Sequence, residues 1–542
     1  MERDGGELQA WETAEAYWRY CLSLGNKFEN PPEVVLKLAS QTVEGETVGA
    51  RDIAVSVANQ CYFKGKSVIK PRPRLEEQNR ADSTLDAGHH TTRMHVGYMF
   101  QVVATRNSVH DFFHDFPYYN SDMQSQRFVA AREGNYLIFK DLTPEQRVMF
   151  VESANFENAT YFELLEKLKP DISKLVHDMY PENGWKVEKT KARLEEKIEK
   201  LTQEVARYVL PVDQLTVDDY SVNEIQLLRF LRASMLPGVT DETRYVVAKM
   251  VEEVTKFDSE FIKELRLPIS AEREYGVNGE YVLAQKKEFD AKLEGQNSKL
   301  ALLDPRSGGV LATAVRNALG KPETELPDHE ALMMLMDPER NPLLADVFET
   351  GINDHLTKCM RMVNVTFYSK MSHAGDEQRH RHRRTASATP PLEALYDGTA
   401  DYFTPLAIRR NPELVKLYQE RMETIFGNVK KMLNAGVPRQ IALSLLPNAI
   451  NVRVVETGDL FDFLHRWKQR LCLTAQEEIF FLTVEQVEQV IKEIPEVKPM
   501  VLAPCGVRQV AGIRPRCPEG SRWCGQQVYG WDIKDYKKGR TI

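Results

Sequence analysis

Arg379-His380-Arg381-His382-Arg383-Arg384 is an unbroken run of cationic or titratable side chains, followed by Thr385-Ala386-Ser387. Guanidinium forks match phosphate and carboxylate oxygens in pairs, so the run predicts a strongly anionic partner, without which its charges repel one another. The plainer account of such a run is a solvated basic loop or a nucleic-acid patch. The net charge of -8 over the whole chain argues against general nucleic-acid binding. A second group with chemistry is Cys505, Cys517 and Cys524, each beside a glycine or proline that lets thiolates converge. Zinc or an iron-sulfur cluster would suit them, with a fourth ligand from Cys472 or a histidine. Free thiols or a disulfide are the alternatives.

The elements that would position these groups form a large protein. A chain of 542 residues is too long for one ordinary core, so two or more domains are expected. Hydrophobic residues at 42% and charged residues at 28% are those of a globular protein. No apolar run approaches the roughly eighteen residues of a membrane span, and the charged start Met1-Glu2-Arg3-Asp4 is unlike a signal peptide. A cytoplasmic protein without membrane contact is expected. Val96 to Val103 reads as a strand. Trp185 to Val209 reads as an amphipathic surface or inter-subunit helix, with Leu194, Ile198, Leu201 and Val205 on one stripe. The polar stretch from Glu272 to Asn297 marks a boundary, and Pro390 to Pro405 an ordered loop over the basic run.

The basic run, with Gln378 before it and small residues after it, resembles the Gln-x-x-Arg-His-Arg signature of the flavin-dependent thymidylate synthases. Gly88 to His95 resembles that family's histidine element ahead of a strand, and Tyr119 to Phe128 its Asn-x-x-Ser-x-Arg-Tyr ending, with Asp122 for the asparagine and Phe128 for the tyrosine. Leu210-Pro211 and Val222 to Leu231 are similar to its Leu-Pro element and following helix. The second half repeats pieces of the pattern in Gly436 to Arg439, Leu446-Pro447, Leu460 to Leu464 and Arg470 to Ile479. Each half therefore resembles one unit of the family.

The resemblance implies an α+β protein of two fused units, each an antiparallel sheet packed with helices. The units would span 1–275 and 276–498, with a cysteine-containing extension over 499–542. It implies FAD as cofactor, with dUMP or a related uridine nucleotide, methylenetetrahydrofolate and NADPH as partners, and methylation of the pyrimidine at C5. Gln378, Arg381, His382 and Arg383 match the flavin-binding positions, a register at Arg379, His380 and Arg381 being the alternative. His95 matches a histidine near the flavin, or is a plain hydrogen-bonded histidine at a strand entrance. Ser125 and Arg127 of the first half match residues beside the pyrimidine and its phosphate, where the second half has Ser387-Ala388-Thr389-Pro390. Arg470 of the second half matches a nucleotide-binding arginine, where the first half has Ser234 or Arg232.

The helix asparagine of the first half, Asn223, becomes Glu456 or Asp459 in the second, depending on register. At the place of the basic run the first half carries Asp115-Phe116-Pro117. Neither half is complete and the losses are complementary, which predicts sites shared between halves in a homodimer of tandem chains. Loss of catalysis with retained flavin or nucleotide binding, or action on another pyrimidine, are the rival expectations.

Overall fold

The computed structural model describes residues 11–43, 46–60, 64, 68–69, 75–114, 119–180, 188–236, 238–267, 277 and 279–542. Among these residues are ten strands, in chain order: β1 Glu33–Ala39, β2 Thr42–Val43, β3 Glu46–Thr47, β4 Gly97–Thr105, β5 Tyr119–Met123, β6 Leu215–Asn223, β7 Ser298–Leu302, β8 Asn364–Ser372, β9 Ala386–Ala388 and β10 Asn451–Asp459. Apart from the small β2-β3 pair they form two antiparallel sheets of four, ordered β1-β4-β6-β5 and β7-β8-β10-β9. The orders correspond strand for strand. Both first strands slip register at the same point, between Leu36 and Leu38 and between Leu300 and Leu302.

Period-two alternation sets the faces. In β4, Tyr98, Phe100, Val102 and Ala104 point into the core, and in β8 Val365, Phe367, Ser369 and Met371 do. The inner strands each run straight into a capped helix. Asn223 Oδ1 accepts from the Gln226 amide at 3.0 Å, and Asp459 Oδ1 from the Asp462 amide at 2.8 Å, opening the helices Glu224–Ala233 and Leu460–Arg470. Asp459 therefore stands where the first half has Asn223, while Glu456 is buried against Arg466.

The halves meet about a local two-fold relation. Pro211 pairs with Pro447, Val212 donates to Leu446 and Asn448 to Leu210. Counterparts keep a constant offset through this region, as in 211 and 447, 223 and 459, 234 and 470. Three apolar cores result. One lies under each sheet, and a third is shared, built from the helices Pro144–Met179, Glu188–Ala206 and Pro412–Asn434 with β8 and β10 residues such as Met371 and Val454. That shared core makes the two halves one packed body.

The amphipathic stripe expected near 185–209 lies on the helix Glu188–Ala206, with Leu194, Ile198 and Val205 buried. It is more than a surface helix: it packs along Pro144–Met179 and walls a cavity described below. The expected boundary at residues 275 and 276 falls outside the described residues, as do Trp185 at the helix start and Asp115-Phe116-Pro117. Residues 499–542 are sewn into the second core through Met500, Val507, Val528 and Tyr536. Among the described residues, no helix is long and apolar enough to cross a membrane.

Candidate functional site: a cavity shared by the two halves

β8 ends at Ser372, whose hydroxyl caps the short helix His373–Arg379. The carboxylate of Glu478 receives the Ser372 amide and hydroxyl, just as Glu242 receives those of Thr105 at the end of β4. Gly375 makes the Glu478–Ser372 arrangement possible, because a Cβ there would lie 2.7 Å from Glu478 Oε2. Burial pushes the Glu478 carboxyl up to about 7. The helix stops within two turns, so the basic run leaves it in a tight turn with successive side chains aimed in different directions.

The self-repulsion of the run is met by this dispersal. Arg379 is buried and turns inward, Nε to Asp376 Oδ1 at 2.6 Å and Nη2 to Thr389 Oγ1 at 3.1 Å. His380 turns the same way and packs edge-on against His110 of the first half, with ring centres 4.3 Å apart. Arg383 crosses to β5, bonding Asn120 Oδ1 at 2.5 Å and the Ser121 carbonyl at 2.9 Å over the Tyr119 ring. Arg384 pairs with Glu349 at 2.9 Å. Arg381 and His382 face a cavity of about 780 Å³.

Ser125 and Arg127 of the first half line the same cavity, together with Gln378 and Arg470 of the second. Arg127 spans the halves, with Nε on Glu204 Oε2 at 2.5 Å and Nη2 on the Thr474 carbonyl at 2.9 Å. Arg470 donates to the Gln378 carbonyl, yet its Nε is buried without a partner, as is His382 Nδ1. Burial, reinforced by Arg127, Arg466 and Arg381, pushes the Arg470 guanidinium down to about 9. Burial and Arg470 likewise hold the His382 ring neutral, well below its ordinary range. Arg127, Arg193, Lys197, Lys200, Arg381, Arg470 and Arg522 face Glu196, Glu204 and Glu519 across the cavity. An anion with several oxygens would relieve this excess of positive charge and satisfy the idle donors.

The sequence did not reveal Glu204 or the cations Arg193, Lys197 and Lys200, whose only signal was the polar face of an amphipathic helix. It also missed a buried seam where Arg106 of the first half grips Glu377 of the second, at 3.0 Å and 2.8 Å. His110, Asp376 and His380 in this seam hold their ligand-type atoms within 4.8 Å of one another, but the Arg379 guanidinium already supplies the cation there. His95 is not brought to the cavity. It is exposed at the start of β4, and that strand's far end meets the basic helix after roughly 25–30 Å of extended chain. Cys505, Cys517 and Cys524 gather with Cys472 around a separate small cavity, and the described cysteines are all free thiols.

The local two-fold generates a second, altered copy of the shared cavity. It measures about 370 Å³ and is lined by Asn107, Ser108 and His110 of the first half with Thr389 to Glu393 of the second. Register places Asp122 opposite Asp219 and Ala388 opposite Val455, so Glu393 stands where the first cavity has Arg127. By the same offset, Ser234 stands for Arg470. Among the described residues no arginine or lysine lines this copy.

Comparison with known proteins agrees with the duplication. A family model described as Thymidylate synthase complementing protein matches residues 42–258 and again 305–496. The chain is similar to the flavin-dependent thymidylate synthase of Saccharolobus solfataricus, 31% identical over 29% of this chain and 63% of that protein. It is similar to those of Sulfurisphaera tokodaii, 32% identical over 23% of this chain and 49% of that protein, and Geobacter sulfurreducens, 26% identical over 29% and 65%. The matches thus span about half to two-thirds of the length of these relatives. Two matched regions that together cover most of the chain, with two sheets of one topology, place this chain in the thymidylate synthase complementing protein family.

Proposed function

We propose that the 780 Å³ cavity binds a uridine nucleotide, dUMP by default, beside FAD, and that the protein methylates the pyrimidine at C5 with methylenetetrahydrofolate as carbon donor and NADPH as reductant. The observation that carries this is the convergence of Ser125 and Arg127 from one half with Arg381, His382 and Arg470 from the other around buried donors that lack partners. When bound, the flavin supplies the redox chemistry. The chain's own part is to bind and orient. Arg127, Arg381 and Arg470 hold phosphate oxygens by charge-assisted hydrogen bonds, and Ser125 offers a hydroxyl to the base or its phosphate. The neutral His382 ring keeps Nδ1 available to a polar group of the cofactor.

His95 would reach a flavin at this cavity only from a second chain, so the working form is a homodimer of tandem chains. The test is made on freshly purified protein: FAD released on denaturation, and loss of the C5 hydrogen from labelled dUMP when folate and NADPH are supplied. Protein without FAD and without dUMP affinity would overturn the proposal. FAD and dUMP binding without loss of the C5 hydrogen would leave a binding homologue in place of an enzyme.

A further inference from the structure

Four thiols from three separate segments surround one cavity of about 20 Å³. Cys472 follows the helix Leu460–Arg470, Cys505 lies in the first turn of Pro504–Val510, and Cys517 and Cys524 lie in the loop beyond it. The remaining described cysteines, Cys21 and Cys359, pack in other parts of the apolar cores. Burial pushes the Cys505 thiol up to about 12, with Cys472, Cys517 and Cys524 adding to the effect. We propose that Cys472, Cys505, Cys517 and Cys524 ligate a four-iron, four-sulfide cluster.

Spacing separates a cluster from a single ion. Four sulfurs about 2.3 Å from one zinc lie about 3.8 Å from one another and leave no void between them. Here, among the described residues, no three cysteine sulfurs lie within 4.8 Å of one another, and the space they enclose admits a water-sized guest. A frame this wide suits a polynuclear core carried by four thiolates. Its walls, with Ala503, Pro504, Pro518 and Val528, are apolar, as suits a site that keeps water off sulfide.

The surroundings also suit an anionic centre. Each thiol gives up its proton on ligation, so the thiolate-bound cluster is an anion. Arg540 is 3% exposed, keeps Nε and Nη1 without partners, and lies close enough to feel the Cys472 charge. Lys197 feels both Cys472 and Cys524. One of these cations comes from the first half of the chain and the other from its last residues. Thr474, Glu519 and Trp523 line both this cavity and the larger one, so the cluster would brace the wall against which Arg127 is held.

The test needs no substrate and stands whether or not the nucleotide proposal does. Full-length protein is purified without oxygen, and iron and acid-labile sulfide are measured per chain. If it emerges colourless, ferrous iron and sulfide are supplied under reducing conditions. About four of each per chain are expected, with iron falling to background in Cys517→Ser and in Cys505→Ser and unchanged in Cys359→Ser. One zinc per chain without sulfide would overturn the proposal in favour of a mononuclear site. Failure of reconstitution, with all four thiols titrating freely or paired as disulfides, would overturn it outright.

Discussion

Arg470 is a charge that the ligand-free protein holds at a loss. A drop to about 9 is more than three tenfold steps below an ordinary guanidinium, which corresponds to a ceiling of about 5 kcal/mol against keeping it charged and buried. Because the folded value lies below the unfolded one, the penalty is fully present at every pH below about 9 and is relieved only above it. Arg470→Met keeps the volume and removes the charge, at the loss of the bond to the Gln378 carbonyl. The net gain for ligand-free protein at pH 7 should be about 2 kcal/mol, raising the melting temperature by a few degrees. The same change should weaken dUMP binding about 10- to 100-fold, the worth of one charge-assisted contact. Thermal melts of both proteins with and without dUMP measure the two effects together. A variant that melts lower than the parent and keeps the full dUMP shift would refute both the charge argument and the assignment of the cavity.

Arg127→Ala should abolish the dUMP shift while leaving FAD in place, as read by absorbance after gel filtration; loss of flavin as well would contradict the division of roles. Arg381→Ala should weaken FAD binding about 10- to 100-fold, one lost charge-assisted contact being worth about 1.5–3 kcal/mol, and undiminished FAD affinity in that variant would move the flavin elsewhere. Either half expressed alone should be insoluble or molten by near-ultraviolet circular dichroism, since the shared core is split. Burial holds His373 down to about 4 and His380 to about 3, with His110 and Arg379 opposing protonation and Asp376 and Glu377 favouring it. Their stabilising contribution is therefore complete above pH 6.5 and fades as pH falls toward 4, by a few kcal/mol. Urea midpoints at pH 7.5 and 5 should show that loss and His373→Gln should reduce it; equal midpoints would contradict it.

The strand Val96 to Val103, the stripe Leu194-Ile198-Val205 and the paired Leu-Pro elements were legible because alternation, helical period and turn residues are local signals. The basic run was legible as an anion site for the same reason. Its internal division was not: whether Arg379 or Arg381 faces the ligand depends on where a seven-residue helix ends and which neighbour from the other half waits beside it. Glu377 carries no sequence signal of its role, and only the fold brings Arg106 to it from the other half of the chain. The four cysteines illustrate the same limit, since Cys472 joins the other three through packing that sequence spacing does not encode.

The pairing of Pro211 with Pro447 also has a consequence for how this protein can change. In an assembly of identical subunits every substitution is written into all copies at once, so an arginine lost from one cavity is lost from all of them. Joining two copies in one chain cancels that rule. Glu393 could replace an arginine on one side while Arg127 stayed on the other, and Ser234 could coexist with Arg470. Selection can then maintain one cavity and leave its twin free to drift. A substitution map of the two cavities should be lopsided, with the 780 Å³ side intolerant and the 370 Å³ side permissive.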